Sequence, residues 1–289
     1  MSKSFPICYE TFGNPIHPCL ILIMGIGGQL IDWPTTLTQD LADKGFYVVT
    51  FDNRDSGLSR HYDELGIPNF GEAIAAKQQA KSFKPPYTLE DMASDVIALM
   101  DKLRIEKAHI AGLSMGGIIA QYVALNYVDR VLSLTCIAST SGDPQLPPAK
   151  KEALEFFSSS MTGENQSAET IINNKLKLLK IYIRPDYFDE EKTRARLTSS
   201  FKRAHDAIGF QRLLLAMICA EPRTKKLKKL KVPCLIIHGD YDPVFPVEHG
   251  KQLASVIEGS HLEIIEKMGH GLPDYFCKKI VDLMVKYLL

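Results

Sequence analysis

The segment 112–116 places a serine between two glycines, in the pattern glycine-x-serine-x-glycine. The apolar segment 107–111 before it predicts a short buried strand, and the apolar segment 117–124 after it predicts a helix. Glycines permit an abrupt strand-to-helix turn here, because side chains two positions from Ser114 would collide with the neighbouring strand or helix. Such a turn presents a nucleophilic hydroxyl at the carboxyl edge of a sheet. A glycine-rich turn that merely packs a helix against a sheet explains the pentapeptide alone equally well.

A nucleophilic serine also needs a histidine that accepts its proton and a carboxylate that orients the histidine. The predicted strand 235–238 runs into a loop that contains Asp242, and the predicted strand 262–266 runs into a loop that contains His270. Both groups therefore follow strand ends, and the chain order is serine, aspartate, histidine. This order is that of the α/β-hydrolase arrangement.

Nearly the whole chain resembles the α/β-hydrolase fold family. The segment 20–28 is similar to the oxyanion loop of this family, and 51–59 has its form aspartate-x-arginine-x-x-glycine-x-serine. With the Trp33 and Pro34 pair, these segments are most similar to the esterases that include anthracycline methyl esterases. The resemblance implies an α/β fold with a mostly parallel eight-stranded sheet, helices on both faces, and a helical lid after strand 6.

The same resemblance implies a role for each residue of the triad. Ser114 would attack a carbonyl carbon and form an acyl-enzyme, His270 would carry the proton, and Asp242 would stabilise the imidazolium. The backbone N–H groups of Ile26 and Met115 would form the oxyanion hole. Many family members begin the oxyanion loop with His-Gly, whereas this chain has Met-Gly at 24–25. Because the donors are backbone groups, an oxyanion hole is still expected without the histidine. The exact geometry of its loop is left open.

Two other carboxylates compete with Asp242 for the acid role. Asp240 lies in the same loop, and Asp143 follows the predicted strand 132–136, where some relatives carry the acid. The spacing glycine-x-x-aspartate-x-x-x-proline over 239–246 favours Asp242, since it matches the family pattern.

The organisation of the chain predicts a parallel sheet core with an inserted lid. Strand and helix patterns alternate outside 141–223, which favours a parallel sheet with helices on both faces. We therefore expect a core of 1–140 and 224–289 and a helical lid at 141–223. The candidate substrate contacts are Gly25, Trp33, Phe210, Leu214 and Met217. A helical stripe of apolar residues is first a packing signal, so packing within the lid is the alternative for its members.

Composition excludes several other classes of function. The 289 residues carry 34 Lys and Arg against 34 Asp and Glu, and this zero net charge argues against nucleic-acid or anionic-membrane partners. The six cysteines have no metal-like spacing. No metal or cofactor is implied, because side chains and backbone dipoles carry the expected chemistry. The N-terminus lacks a secretory apolar region, and no apolar run approaches the roughly 18 residues of a membrane span. We expect a cytoplasmic protein without membrane insertion.

The leading hypothesis is a serine hydrolase, an enzyme that cleaves a carboxylic ester of a small to medium, largely apolar substrate. Relatives also hydrolyse carbon–carbon bonds, amides or lactones, and the sequence does not choose among these. A serine at position 114 argues against haloalkane dehalogenase and epoxide hydrolase chemistry, which use an aspartate nucleophile in this fold. The alternative from another class is a non-catalytic ligand-binding protein on the same scaffold. The oligomeric state and the natural substrate are left open.

Overall fold

The computed structural model describes residues 6–79, 81–161 and 166–289. The segment 1–5, part of the region examined for a secretory signal, lies outside these ranges. The described strands are β1 (Tyr9–Phe12), β2 (Cys19–Ile23), β3 (Tyr47–Phe51), β4 (Ala108–Leu113), β5 (Val131–Ile137), β6 (Cys234–Gly239) and β7 (His261–Ile265). They form one sheet in the spatial order β1-β3-β2-β4-β5-β6-β7. Only the edge pair β1–β3 is antiparallel, and the five other pairs are parallel.

Helices occupy both faces of the sheet and the long insertion. They are α1 (Thr35–Asp43), α2 (Phe70–Gln78), α3 (Leu89–Lys102), α4 (Met115–Asn126), α5 (Lys151–Ser159), α6 (Ala168–Tyr182), α7 (Glu190–Arg203), α8 (Ala207–Ile218), α9 (Thr224–Leu227), α10 (Glu248–Val256) and α11 (Asp274–Leu288). The segment 141–223 expected to be a lid contains α5 to α8, and we call these four helices the helical insert. Among the described residues, no helix is long and apolar enough to cross a bilayer.

The predicted α/β fold with a mostly parallel sheet is confirmed, but two details are wrong. The described sheet has seven strands rather than eight, and the helical insert follows the fifth of them rather than the sixth. The eighth strand came from the family resemblance and not from a strand-forming segment of this chain. Counting it also shifted the position of the insert by one strand.

The central strands are buried on both faces, which is why they are apolar throughout. In β2, Ile21 and Ile23 pack into a cluster with α3 and α4, whereas Leu20 and Leu22 pack into a second cluster with α1 and α11. This alternation follows from the two-residue period of a strand.

The parallel arrangement places four functional loops at one edge of the sheet. The loops after β2, β4, β6 and β7 all leave from carboxyl ends of parallel strands, where open α/β sheets bind their ligands. The loop after β2, Ser114, Asp242 and His270 are therefore brought to the same edge, although Ser114 and His270 alone are 156 residues apart in the chain.

Candidate active site

The turn between β4 and α4 holds Ser114 in a strained conformation. Its φ is +55° and its ψ is −118°, a region that non-glycine residues rarely adopt. A Cβ atom at Gly112 would lie 2.1 Å from the Gly116 carbonyl oxygen, and one at Gly116 would lie 2.0 Å from the Ile23 carbonyl oxygen. Both glycines are thus needed for the close approach of the turn to β2 and to its own helix.

Ser114, His270 and Asp242 form a continuous chain of hydrogen bonds. His270 Nε2 lies 2.9 Å from Ser114 Oγ, and His270 Nδ1 lies 2.8 Å from Asp242 Oδ2. The backbone N–H groups of Val244 and Phe245 donate to Asp242 Oδ1 at 2.8 and 2.9 Å. An ionised Asp242 can only accept, so Nδ1 carries the imidazole proton and Nε2 is free to accept from the serine hydroxyl.

The electrostatics of Asp242 favour its charged form. Burial by itself would raise the pKa of this carboxyl, but the charge and hydrogen bond of His270 and the Phe245 N–H lower the pKa overall. His238 is a further neighbour, with Nε2 3.5 Å from Asp242 Oδ2 and donating to the Phe245 carbonyl oxygen at 2.7 Å. Because burial lowers the pKa of His238, this imidazole stays neutral and supports the acid loop.

The two competing carboxylates have other partners. Asp240 is exposed, and its Oδ1 accepts the backbone N–H of Lys267 at 2.6 Å, in the turn that leads to His270. Asp143 accepts from the backbone N–H of Gln145 at 3.0 Å and from the Thr224 hydroxyl at 3.3 Å. The structure therefore brings Asp242, and not these two, to the histidine.

The loop expected to supply the oxyanion hole lies against the nucleophile turn. A Cβ atom at Gly25 would lie 3.4 Å from Ser114 Cβ, and the Asn53 amide anchors the loop by donating to the Met24 carbonyl oxygen at 3.0 Å. Met115 is fully buried as the first residue of α4. Within the described ranges, neither the Ile26 nor the Met115 N–H has a hydrogen-bond acceptor. Both donors are therefore available to a developing oxyanion.

A cavity of about 190 Å³ lies beside Ser114 and His270, between the sheet edge and the helical insert. Its wall is mainly apolar and includes Phe156, Phe157, Leu178, Tyr182, Leu197 and Phe210. A larger cavity of about 500 Å³ adjoins it and shares Gly27, Phe156, Lys175, Leu178 and Phe210. We call them the inner and the outer cavity.

The structure separates the five predicted substrate contacts into two groups. Gly25 and Phe210 line the inner cavity, and the Phe210 ring lies against Gly27, where a Cβ atom would come within 2.6 Å of it. Leu214 and Met217 line neither cavity and instead pack with the apolar residues of α2 and α8. Trp33 is buried in the core cluster of α1 and α11. In this structure these three residues pack against other side chains and do not line the inner or the outer cavity, so their role as substrate contacts stays a prediction.

Sequence reasoning missed three residues that line the inner cavity. Tyr182 holds the histidine loop, since its carbonyl oxygen accepts the His270 backbone N–H at 3.0 Å and its ring stacks edge-on against the imidazole. Lys175 and Arg196 introduce positive charge into a mainly apolar wall that also contains Asp32. All three lie in the helical insert, where spacing along the chain does not say which face of a helix meets a cavity.

Comparison with known proteins agrees with the fold and the class of chemistry. A family model described as alpha/beta hydrolase fold matches residues 18–274. Rhodomycin D methylesterase of Streptomyces peucetius is 28% identical over 91% of this chain and 88% of its own length. The 3-oxoadipate enol-lactonase 2 of Acinetobacter baylyi is 26% identical over 89% of this chain and 84% of its own.

A solved structure of a hydrolase from Pseudomonas aeruginosa superimposes with a TM-score of 0.73 and 25% identity, covering 98% of this chain and 94% of that one. The family match spans most of the chain, including the nucleophile turn and both loops that carry the other two residues of the hydrogen-bonded chain. The protein described here belongs to the alpha/beta hydrolase fold family.

Proposed function

We propose that this hydrolase is a serine carboxylesterase that cleaves a small to medium ester through an acyl-enzyme. The observation that carries the proposal is the hydrogen-bonded chain Ser114–His270–Asp242, at the wall of a largely apolar cavity. A non-catalytic binding protein has no need for a strained serine, an oriented histidine and an ionised carboxylate at one point.

The first half of the reaction forms the acyl-enzyme. Ser114 Oγ attacks the ester carbonyl carbon while His270 Nε2 accepts the hydroxyl proton, and Asp242 stabilises the resulting imidazolium. The negative charge on the carbonyl oxygen is met by the N–H groups of Ile26 and Met115, and the N-terminus of α4 adds its positive dipole. The tetrahedral intermediate then collapses, and His270 donates the proton to the leaving alcohol.

The second half returns the enzyme to its starting state. A water molecule takes the place of the alcohol, His270 Nε2 removes its proton, and the hydroxide attacks the acyl carbon. Collapse of this second intermediate breaks the bond to Ser114 Oγ, which regains its proton, and a carboxylic acid is released.

The named relatives support acyl–oxygen cleavage over other bond types. One is a methylesterase and the other an enol-lactonase, and both names describe hydrolysis of a carbonyl–oxygen bond. Esters and lactones share the leaving group, an oxygen that a single imidazolium can protonate. The putative carbamate hydrolases of Caulobacter that this chain also resembles are slightly less similar to it, at 24–25% identity.

Covalent labelling with a fluorophosphonate probe tests the proposal directly. We expect the wild-type protein to be labelled and to hydrolyse p-nitrophenyl esters, and Ser114→Ala to lose both. Ser94→Ala, which changes an exposed serine of α3, is the matched control and should retain both. A folded wild-type protein that neither reacts with the probe nor hydrolyses any ester of the series would contradict the proposal.

A further inference from the structure

The inner cavity contains an ammonium group that forms no ion pair with any residue the structure describes. Lys175, on α6, lines both cavities and therefore lies where they join. Across the described residues, no carboxylate comes within ion-pair distance of its Nζ. Burial lowers the pKa of Lys175, and the charge of Asp32 opposes this only in part. A half-buried cation without an ion pair to the described residues marks a candidate binding group in a cavity wall.

A second cation lies in the same cavity wall. Arg196, on α7, lines the inner cavity, and its Nε is buried without a hydrogen-bond partner in the parts of the chain that the structure covers. Arg196 also lines a third cavity, between the helical insert and α11, and therefore lies between that cavity and the inner one. Two helices thus place positive charge, without an ion pair to the described residues, in the wall of the cavity beside Ser114.

The described acidic groups that line these cavities form no ion pair with Lys175 or Arg196, although the charge of Asp32 acts on Lys175. Asp32 is the carboxylate of the inner cavity, and its Oδ2 is occupied by the Gln29 backbone N–H at 2.8 Å and the Ser200 hydroxyl at 3.3 Å. In the outer cavity, Asp55 is paired with a buried arginine and Asp206 with a histidine. The remaining acid of the outer cavity, Glu152, is exposed to solvent on α5.

We propose that the substrate of this enzyme carries a carboxylate that binds Lys175, with Arg196 as a second donor. The inference rests on the proposed ester hydrolysis and names its substrate class: an ester or lactone with an apolar body and one anionic group. Lys175 is then a specificity-determining residue, because it contacts the substrate away from the reacting carbonyl. The apolar wall binds the apolar body of the substrate. The substrate carboxylate displaces the water that solvates the Lys175 ammonium, whereas a neutral ester leaves that water in place.

Matched pairs of esters that differ only in charge test this proposal. One set is the p-nitrophenyl monoesters of adipic, pimelic and suberic acids, each compared with the primary amide that replaces its free carboxylate. The other pair is 4-acetoxybenzoate and 4-acetoxybenzamide, which place the charge on the alcohol side. For at least one pair we expect kcat/KM of the wild type to favour the carboxylate by about 10-fold or more, mainly through KM.

The variants separate a binding role from a structural one. Lys175→Met should reduce the carboxylate-to-amide ratio to about 1, and Arg196→Met should reduce the ratio in part. Lys180→Met, on the same helix, removes a lysine that pairs with Glu190 at the exposed surface, and it should keep the wild-type ratio. A wild-type ratio of 1 or below for every pair, or a ratio that Lys175→Met leaves unchanged, would overturn the inference.

A binding measurement distinguishes failure of the inference from failure of the proposed function. If no ester is hydrolysed, the esterase proposal fails, and binding of suberate or 4-hydroxybenzoate to Ser114→Ala is then measured by calorimetry. Binding that Lys175→Met weakens by about 10-fold or more supports the anion site independently of catalysis. If no ligand shows binding that depends on Lys175, the proposed anion site is refuted.

Discussion

Arg212 and Asp55 form a bidentate ion pair that is completely shielded from solvent and joins the helical insert to the core. Arg212 Nε lies 2.8 Å from Asp55 Oδ2, and Arg212 Nη2 lies 2.9 Å from Asp55 Oδ1. Arg212 belongs to α8, whereas Asp55 belongs to the segment after β3 that matches the family pattern. The Tyr87 hydroxyl and the Tyr62 backbone N–H also donate to Asp55. This carboxylate therefore holds three separate parts of the chain together.

Removing the arginine should destabilise the protein strongly. Arg212→Met leaves the Asp55 carboxylate buried without its counter-ion, and we expect a loss of about 3–5 kcal/mol in the free energy of unfolding. Chemical denaturation measures this loss in the free energy of unfolding. Arg130→Met, which removes a partly exposed ion pair with Asp101, should cost no more than about 1 kcal/mol. Equal losses of stability in both variants would show that the buried ion pair contributes no more to the free energy of unfolding than the partly exposed one.

The contact between His61 and Asp206 predicts a pH dependence of stability. Burial alone would lower the pKa of His61, but the hydrogen bond to Asp206 at 2.6 Å, with further favourable interactions, raises the pKa overall. Because the folded state binds the proton more tightly, protonated His61 stabilises the fold. This stabilisation is complete at pH values below the unfolded-state pKa of about 6.5, and it is lost as the pH rises through the folded-state pKa.

The stability difference between wild type and His61→Gln should therefore be larger at pH 5.5 than at pH 9. Because both side chains are partly exposed, we expect the change to stay under about 1 kcal/mol. Denaturant unfolding at the two pH values measures it. A difference that grows with pH would mean that the sign is wrong and that His61 is held neutral.

The assignment of the acid predicts a large difference between two neighbouring aspartates. Asp242→Asn should lower kcat by about 10⁴, because an amide no longer stabilises the imidazolium or selects the Nδ1–H tautomer. Asp240→Asn should reduce activity far less, since its carboxylate bonds the Lys267 backbone rather than the histidine. Steady-state kinetics on a p-nitrophenyl ester measures kcat for both variants. Near-normal activity of Asp242→Asn would refute the assignment.

The nucleophile turn predicts that Gly116 tolerates no side chain. In Gly116→Ala the new methyl group would lie 2.0 Å from the Ile23 carbonyl oxygen, so β2 and α4 must separate. We expect a loss of about 1–3 kcal/mol in stability and a severe loss of activity, as Ser114 moves from His270. Thermal unfolding and ester kinetics measure the two effects.

Gly71→Ala is the matched control for this variant. Gly71 lies in α2, and the nearest atom to an added Cβ is the Asn69 side-chain oxygen at 3.6 Å, an ordinary contact. Alanine favours helix over glycine, so this variant should be neutral or slightly more stable. If Gly116→Ala were as stable and as active as Gly71→Ala, the turn would accommodate a methyl group at position 116 and the prediction would be wrong.

Local sequence was sufficient for the parts of this protein that depend on strand ends and tight turns. Ser114 stands out because a strand-to-helix turn of this kind requires glycines at fixed positions, and the structure places both glycines in close backbone contact. Asp242 and His270 could be located because parallel strands deliver their following loops to one edge of the sheet. The spacing around Asp242 also separated it from Asp240.

Tertiary structure alone decided what surrounds the serine. The amphipathic pattern of α8 identifies an apolar stripe but not its partner, so Phe210 faces the cavity while Leu214 and Met217 pack internally. Lys175 and Arg196 look like surface residues in the sequence, because charged side chains on helices are normally solvated. Their position in the cavity wall depends on how α6 and α7 fold over the sheet, a long-range arrangement that no local pattern encodes.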